Sequence, residues 1–439
     1  MLAAMPASPL TTSSEAVTSR STGDACARSS GDACPGALRL HRADDGALAR
    51  IRIPGGVLTS RRAAALGQAA ERFGDGELHL TSRGNVQLRG LAPECGAELA
   101  GLLDEAGLLP SARHERVRNV VASPLSGLDG LGALDIRPWL TGLDRLLCGS
   151  ESATALSGRF LFALDDGRGD VDALGADLTL RGDAGGALLR VGDGDAVHRV
   201  PSPDAPRAAL LAAEAFLDAA RGSGAWRIRD LPDSGAALPS EVERRLRRAG
   251  VTVTPGHLPR PLEALHPAPG PVPGGTHETA LSVGVPLGRL DLAQWRLLSS
   301  AGELRLTPWR GAVVTGIAPG RTEDLLTALS ESGLITGPGS PWAGVGACIG
   351  QPGCAKSLAD VRADAGAAVG PAGRLPVYWS GCERRCGHPH GEWIDVVATP
   401  EGHRISHVRR DRAAETTTVL AGDPAALAAA VAAARGPRT

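Results

Sequence analysis

The order of apolar and polar residues between positions 48 and 105 predicts a strand, a helix, two strands and a second helix. Leu48–Ile53 alternates as a strand with one buried face does, and it stops at Pro54-Gly55-Gly56. Thr59 can cap the following helix, because its hydroxyl oxygen can accept a hydrogen bond from an amide of the first turn. The elements predicted after it are a helix to about Phe73, strands at Glu77–Thr81 and Val86–Arg89, and a helix at Glu94–Glu105.

The same order of elements returns between Ala280 and Leu334. A strand at Leu281–Val285 meets Pro286-Leu287-Gly288, and Leu306-Thr307 aligns with a Leu-Thr pair 226 positions earlier. This recurrence predicts an internal duplication. The remaining predicted elements of the second copy are helices at Leu292–Ser299 and Thr322–Ser332 and strands at Glu303–Thr307 and Ala312–Ile317.

Each copy is followed by a further segment in which strands and helices are mixed. The first such segment has a strand near Gly158–Leu164 and a helix at Ala205–Arg221, and the second ends in an alanine-rich helix at Pro424–Ala434. Residues before about position 36 are rich in Ser, Thr, Ala and Gly without hydrophobic period, which predicts a disordered tail. The predicted units are the tail 1–36, copy one 37–110, an α/β segment 111–254, a Pro/Gly-rich linker 255–276, copy two 277–340 and a last α/β segment 341–439.

Two cysteine pairs in the last segment are the strongest chemical signal. They are Cys348-x5-Cys354 and Cys382-x3-Cys386, with glycines and Pro352 around them that favour tight turns. Four thiolates can hold a [4Fe–4S] cluster or a structural zinc ion. Zinc sites usually draw their pairs from C-x2-4-C turns, so the longer first spacing favours the cluster, with zinc and a metal-free site as the alternatives.

Composition narrows the class of protein without identifying it. The net charge of −2 gives no electrostatic footprint for nucleic acid or an anionic membrane. Hydrophobic residues make up 43%, yet no apolar run reaches the roughly 18 residues that span a bilayer. Eight cysteines in 439 residues are too few for a disulfide scaffold, so we expect a reducing, cytoplasmic protein. The cysteines outside the two pairs are scattered at Cys26, Cys34, Cys95 and Cys148, with Cys26 and Cys34 in the tail.

Two distant motifs together carry a family resemblance. Arg52-Ile-Pro-Gly-Gly56 and Leu80–Arg89 fit the patterns R-x-P-G-G and L-T-x-R-x-x-x-Q-x-R, and the second cysteine pair is followed by Gly387-His388-Pro389. This combination resembles the sulfite/nitrite reductase superfamily from about Gly36 to Val431. Within it, length and details are most similar to the precorrin-3B synthase branch of aerobic cobalamin biosynthesis.

The resemblance implies a fold, a cofactor and a reaction. The fold is α+β, with duplicated ferredoxin-like units and two sulfite-reductase-type α/β domains related by a pseudo-two-fold axis. The cofactor is a [4Fe–4S] cluster on the four paired cysteines, together with either sirohaem, whose iron Cys386 would bridge, or a mononuclear non-haem iron. The reaction is conversion of precorrin-3A to precorrin-3B with O₂ and electrons from an external ferredoxin or reductase, NADH acting through a separate reductase. The alternatives are a sirohaem-dependent assimilatory sulfite or nitrite reductase and a metal-stabilised binding protein without catalysis.

Arginines in these motifs are the candidate substrate-binding groups. Precorrins and sirohaem are rimmed by carboxylates, which guanidinium groups bind bidentately. The alternative for each is a solvated surface arginine, since the chain holds 46 Lys plus Arg. The resemblance implies catalytic roles for Arg52, Arg83, Arg118 and Arg159 and cofactor-binding roles for Thr81, Asn85, Gln87, Arg89 and Cys386.

One departure from the family bears on the reaction. Sulfite reductases carry a K-x-K strand that delivers protons, and the matching stretch here has Arg159 and Leu161. Arginine is a poor acid near neutral pH and leucine has no proton to give, which argues against a six-electron reduction. His388 and His390 are further candidate iron ligands, although a capping or surface role is more common for such a pair.

Overall fold

The structure is a computed structural model that describes residues 35–258, 266–274, 279–318, 320–389, 391–409, 412–420 and 422–437. In this part of the chain the strands form four sheets with helices packed against them, so the α+β expectation is confirmed. Three predictions lie outside the described residues: the tail up to residue 34 with Cys26 and Cys34, part of the linker, and His390. No helix among the described residues is long and apolar enough to cross a membrane.

Copy one forms the elements that its periodicity predicts. Thr59 caps the first helix, with its hydroxyl oxygen accepting a hydrogen bond from the Arg62 amide. The elements are β1 (His41–Ala43), β2 (Gly46–Ile51), β3 (Val57–Leu58), α1 (Ser60–Phe73), β4 (Glu77–Leu80), β5 (Val86–Leu91) and α2 (Gly96–Glu105).

The first α/β segment carries one mixed sheet in the order β11-β10-β9-β8-β7-β6. Its strands β6, β7 and β8 run parallel, and the helices bury alanine and leucine side chains beside Phe160 and Phe216. The elements are β6 (Val120–Ala122), α3 (Arg137–Gly149), β7 (Phe162–Asp165), β8 (Leu178–Asp183), β9 (Gly186–Val191), β10 (Val197–Val200), α4 (Ala205–Ala219), α5 (Leu238–Arg248) and β11 (Thr254–Gly256).

Copy two repeats the order of copy one. Its helix α6 begins at an Asp291 capping box, in which the carboxylate accepts from the Gln294 amide and the Gln294 side chain accepts from the Asp291 amide. The elements are β12 (Gly270–Pro271), β13 (Thr279–Gly284), β14 (Arg289–Asp291), α6 (Leu292–Ala301), β15 (Glu303–Leu306), β16 (Gly311–Ile317) and α7 (Thr322–Glu331).

The two copies exchange a short strand. The sheet of copy one has the order β1-β2-β5-β4-β14, and that of copy two has the order β12-β13-β16-β15-β3. Each sheet therefore ends in a strand from the other copy, with Leu58 opposite Leu304 and Leu290 opposite Leu78. This reciprocal pairing is the relation expected of a pseudo-two-fold axis.

Hydrogen bonds inside the copies repeat as well. The Thr81 amide donates to the Asn85 carbonyl at 2.9 Å, and the Thr307 amide donates to the Gly311 carbonyl at 2.8 Å. In each turn the threonine hydroxyl then accepts a second amide, at 3.1 Å in both copies. The duplication seen in the sequence is thus preserved as one turn geometry.

The core of the duplicated unit crosses the boundary between its copies. Trp295 on α6 is fully buried, and its indole Nε1 donates to the Ala63 carbonyl of α1 at 2.7 Å. One continuous set of buried side chains includes residues of both copies, from Leu66 and Leu78 to Leu298 and Leu304. The two halves are therefore one folding unit by their packing.

The last segment forms a sheet in the order β17-β18-β19-β20-β21. The first three strands run parallel and the other neighbours are antiparallel. The elements are β17 (Val345–Ala347), α8 (Val361–Ala367), β18 (Val377–Ser380), β19 (Trp393–Thr399), β20 (Gly402–Arg409), β21 (Arg412–Leu420) and α9 (Pro424–Arg435).

A buried acidic turn after β7 predicts an unusual pH dependence. Asp170 accepts a hydrogen bond from the Ser123 hydroxyl at 2.6 Å, while its Oδ2 is buried and has no hydrogen-bond partner in the described part of the chain. Burial raises the pKa of Asp170 from 3.8 to about 7, and the nearby charge of Asp165 acts in the same direction. The folded protein therefore holds a proton that the unfolded chain has already lost, so stability is highest below the unfolded pKa and falls as the pH rises through about 7.

Asp170→Asn should remove this loss of stability. The linkage amounts to roughly 1.4 kcal/mol for each pH unit crossed between the two pKa values. We expect the urea midpoint of the variant to fall less than that of the wild type between pH 5 and pH 7.5. The exposed Asp104→Asn on α2 is the control, and parallel pH profiles of both variants and wild type would contradict the prediction.

Candidate metal centre

Parallel strands bring the two cysteine pairs together. Cys348 directly follows β17, and Cys382 lies two residues after β18, its parallel neighbour. The carboxyl ends of parallel strands meet at one edge of a sheet, so both segments start from the same place. The Cys348 amide donates to the Trp379 carbonyl at 2.9 Å, and the Gly381 amide lies 3.2 Å from Cys348 Sγ as a hydrogen-bond donor.

The Cys386 thiol lies within electrostatic reach of the other three cysteines. All four are free of disulfides, and Cys386 is the exposed member of the set. Burial raises the pKa of Cys386, the Arg384 charge lowers it, and Cys382, Cys348 and Cys354 each raise it further. That the four cysteines together form one ligand set stays a prediction.

Backbone contacts hold the two cysteine loops against each other. The Ser357 amide donates to the Cys354 carbonyl at 2.9 Å, and the Leu358 amide donates to the Gly381 carbonyl at 2.8 Å. A Cβ at position 381 would lie 1.7 Å from Ser357 Oγ, so only glycine allows this approach. The contacts of Leu358 and Ser357 with Gly381 therefore fix the distance between the two cysteine loops.

Unpartnered polar atoms support the fit of a sulfur-rich group. Ser380, next to Gly381 and Cys382, is fully buried, and its Oγ has no hydrogen-bond partner among the described residues. A buried hydroxyl without a partner is costly, and a thiolate or sulfide sulfur is an acceptor that it could serve. The donor set of four thiols with amide and hydroxyl donors beside them fits a [4Fe–4S] cluster better than a bare zinc turn.

Tyr378 on β18 and Arg310 of copy two hold the loop that carries the last cysteine. The Tyr378 hydroxyl donates to the Cys386 carbonyl at 2.6 Å, and Arg310 Nη2 donates to the Gly387 carbonyl at 3.3 Å. Burial raises the pKa of Tyr378, while the Arg310 charge acts against this rise. Sequence reasoning missed Arg310, although the 226-residue repeat places it at the position of Gly84, in the matching turn.

Cationic groups surround the same region. Arg362 Nε donates to the Cys348 carbonyl at 3.1 Å. Burial lowers the pKa of Arg362 to about 10, and the charges of Arg289, Arg310 and Arg89 act in the same direction. These arginines, three of which no motif indicated, make the neighbourhood of the cysteines attractive to anions.

The predicted arginines contact other groups of the protein, through hydrogen bonds in four cases and through an aromatic ring in the fifth. Arg52 Nη2 and Arg83 Nη1 donate to the Gly158 carbonyl at 3.3 and 3.4 Å, so these two motif residues do come together. Arg118 forms a fork with Asp144 at 2.7 and 2.8 Å. Arg89 forms a similar fork with Asp45, at 2.7 Å for both bonds, and Arg159 lies 4.2 Å from the Trp226 ring centroid.

These contacts give the arginines structural roles, and their role in binding substrate stays a prediction. Arg89 also donates to the Gly353 carbonyl at 2.9 Å, which ties copy one to the first cysteine loop. Of the other four predicted arginines, which are Arg52, Arg83, Arg118 and Arg159, Arg52 and Arg118 are buried.

The residues predicted to make polar contacts with a cofactor form hydrogen bonds with other residues of copy one. Thr81 accepts amides within its own turn, and Asn85 Oδ1 accepts the Ile53 amide at 2.9 Å. Gln87 Oε1 accepts a hydrogen bond from Arg50 Nη2 at 3.2 Å. His388 stacks on Trp393 with ring centroids 5.0 Å apart.

Comparison with known proteins agrees with this arrangement. Residues 40–106 match the family described as "Nitrite/Sulfite reductase ferredoxin-like half domain". A precorrin-3B synthase of Sinorhizobium sp is 28% identical over 88% of this chain and 84% of the relative. A ferredoxin–nitrite reductase of Synechococcus elongatus is 26% identical over 78% of this chain and 74% of the relative.

A sulfite reductase [NADPH] hemoprotein beta-component of Acidithiobacillus ferrooxidans is 28% identical over 83% of this chain and 76% of the relative. Among solved structures, the Mycobacterium tuberculosis NirA protein superposes with a TM-score of 0.69 at 20% identity, covering 85% of this chain and 77% of that one. The motifs and these likenesses agree: residues 40–106 form a nitrite/sulfite reductase ferredoxin-like half domain, and the chain is similar over most of its length to a precorrin-3B synthase and to nitrite and sulfite reductases.

Proposed function

We propose that this protein is an iron–sulfur monooxygenase of cobalamin biosynthesis that converts precorrin-3A to precorrin-3B with O₂ and external electrons. The named relatives include reductases of nitrite and sulfite and a precorrin-3B synthase, and the last of these aligns with the largest share of this chain among the three. Electrons would come from a separate ferredoxin or reductase, with NADH as the original donor, in the cytoplasm.

The surroundings of Arg159 and Leu161 are the observation that carries this choice. Leu161 is 3% exposed and packs in an apolar cluster with Val121 and Ala163. Arg159 lies over the ring of Trp226, and its guanidinium is too weak an acid to donate protons near pH 7. A six-electron reduction needs repeated proton delivery, whereas insertion of one oxygen atom needs two electrons and fewer protons.

The proposed cofactor is a [4Fe–4S] cluster held by Cys348, Cys354, Cys382 and Cys386. When bound, such a cluster supplies one electron at a time. The Gly381 amide would keep its bond to Cys348 Sγ, and Tyr378 would hold the Cys386 loop in place. The Gly381 amide would stabilise negative charge on the Cys348 sulfur and so favour the reduced state.

A polycarboxylate substrate suits the charges around the cysteines. Arg310 and Arg289 lie close enough to Arg362 for their charges to disfavour the charged form of Arg362. Anionic side chains of a tetrapyrrole would offset this effect, because carboxylates accept from guanidinium groups in pairs. These residues would orient the ring system beside the cluster and would transfer no proton themselves.

The second candidate is a sirohaem-dependent assimilatory sulfite or nitrite reductase. One observation favours it: Cys386 is exposed, whereas the other three cysteines of the group are partly buried. An exposed thiol at the mouth of the group is positioned to bridge to a second metal centre.

The purified protein separates these candidates by its spectrum and its turnover. We expect cluster absorbance without a Soret band, and oxygen-dependent consumption of precorrin-3A with a reductant. A Soret band together with methyl-viologen-driven reduction of nitrite or sulfite would overturn the proposal in favour of the second candidate. Zinc without iron would overturn both.

A further inference from the structure

A second group of metal-binding side chains lies on the sheet of copy one. Asp75, just before β4, and Glu77 and His79 on β4 place one donor atom each within 4.8 Å of one another. His79 Nε2 is 3.7 Å from Glu77 Oε2 and 3.9 Å from Asp75 Oδ2. These separations are too long for hydrogen bonds, so the three groups face one another across a gap.

The imidazole points into that gap with an unused nitrogen. His79 is 7% exposed, and its Nε2 is buried without a hydrogen-bond partner among the described residues. Buried polar atoms in native proteins are nearly always paired, so this nitrogen calls for a partner that the side chains alone do not supply. Burial lowers the pKa of His79, the Arg362 charge acts in the same direction, and Asp75 opposes them. An uncharged imidazole can offer one nitrogen lone pair to a metal once its proton lies on the other ring nitrogen.

The internal repeat supplies a built-in comparison. In copy two the matching positions are Ala301, Glu303 and Arg305, so the three-donor set exists in copy one alone. Arg305 is structural: its Nη1 donates to the Pro124 and Ser126 carbonyls at 2.9 and 2.8 Å. The fold therefore does not require a histidine at the position of His79, so the three donor groups of copy one are not explained by the fold alone.

We propose that Asp75, Glu77 and His79 bind one divalent first-row metal ion of the kind that accepts mixed nitrogen and oxygen donors, such as Mn²⁺ or Fe²⁺. Imidazole and carboxylate are suitable donors for these ions. The Asp75 and Glu77 side chains are 35% and 28% exposed, so they can rotate to shorten the gap around an ion. Three protein donors leave coordination positions open on the solvent side.

Two neighbouring arginines would influence how tightly the three side chains bind a metal ion. Arg289 Nε lies 3.4 Å from Glu77 Oε1 and competes for that carboxylate. Arg362 Nη1 lies 3.3 Å from His79 Nδ1, which must accept there because a guanidinium can only donate. A metal on Nε2 needs the proton on Nδ1, so binding displaces this arm of Arg362. Since Arg362 Nε also donates to the Cys348 carbonyl, occupancy of the site would be felt at the cysteine centre.

Titration of the full-length protein with Mn²⁺ tests the site without any assay of turnover. The protein is first treated with a mild chelator, and Mn²⁺ is then added while the EPR amplitude of the free ion is followed. Mn²⁺ is chosen because this hard ion avoids thiolates. We expect one bound Mn²⁺ per chain with nitrogen coupling from imidazole in the pulsed EPR spectrum. His79→Gln should abolish that coupling, and His79→Gln and Asp75→Asn should each weaken binding at least about tenfold.

Two further variants make the result decisive. His198→Gln is the matched control, because that buried ring already has its Nε2 beside the Pro239 carbonyl at 3.0 Å; it should leave Mn²⁺ binding unchanged. Arg289→Ala should strengthen binding by removing the competitor for Glu77. Absence of Mn²⁺ binding, or binding that His79→Gln leaves intact, would overturn the proposal and would indicate a water-bridged ion pair instead. Neither result decides whether the four cysteines hold a cluster or which reaction the protein catalyses.

Discussion

Replacement of Cys382 by alanine should leave the purified protein with almost no iron or labile sulfide. Cys382 follows the glycine whose amide binds Cys348 Sγ, so its thiol belongs to the segment that joins the two cysteine loops. Alanine offers no donor atom, whereas serine could substitute its oxygen. Loss of an outer partner of a metal site already costs about 10- to 100-fold in affinity, and loss of a ligand should exceed that. Iron, labile sulfide and visible absorbance per chain measure the effect.

Cys148→Ala is the matched control for this experiment. Cys148 lies on α3 outside the group of four, and burial raises the pKa of its thiol, so it stays protonated near pH 7. The control should keep the full iron and sulfide content. Equal cluster content in the two variants would contradict the assignment of Cys382 as a ligand.

Replacement of Gly56 by alanine should destabilise the duplicated unit severely. Gly56 has a φ of 71°, which a side chain disfavours, and a Cβ there would lie 2.0 Å from the Leu306 carbonyl oxygen. The clash is with backbone of the other copy, so no side-chain rotation relieves it. Strain at φ and overpacking together should cost roughly 3 to 5 kcal/mol. The exchanged strand β3 begins at the next residue, so its pairing with β15 should fail first.

Gly101→Ala separates this effect from a general effect of alanine. Gly101 lies within α2, and a Cβ there would meet no atom within 4 Å. Alanine in a helix should stabilise the protein by about 0.5 to 1 kcal/mol relative to glycine. Urea midpoints of the two variants should therefore move in opposite directions, and a similar midpoint for Gly56→Ala and wild type would refute the expected clash.

Local pattern was enough to predict most regular elements of the duplicated unit. The helix expected to run to about Phe73 is α1, with the expected cap at Thr59, because capping and helical spacing are local properties. The strands β3 and β14 were not predicted, since each has two or three residues and pairs only with the opposite copy. No periodicity can appear in so short a segment.

The sequence likewise predicted some residues of the candidate site and missed others. Spacing within and between the cysteine pairs predicts that four thiols share one centre, and the two pairs follow neighbouring parallel strands. Arg362 and Arg289 belong to no motif, and their place beside the cysteines depends on how separate sheets pack. The sequence also did not predict that Asp144, 26 residues later in the chain, supplies a carboxylate partner for Arg118.

The reciprocal exchange of β3 and β14 also constrains how such a protein could have arisen. A gene encoding one copy would yield a chain whose sheet lacks its fifth strand, with an unpaired edge prone to self-association. Two identical chains would satisfy that edge in a symmetric dimer, each lending the segment that follows its Pro-Gly or Pro-Leu-Gly turn. Fusion of two such genes would then have turned an intermolecular contact into an intramolecular one, after which only one half needed to keep each chemical specialisation, such as His79 in place of Arg305.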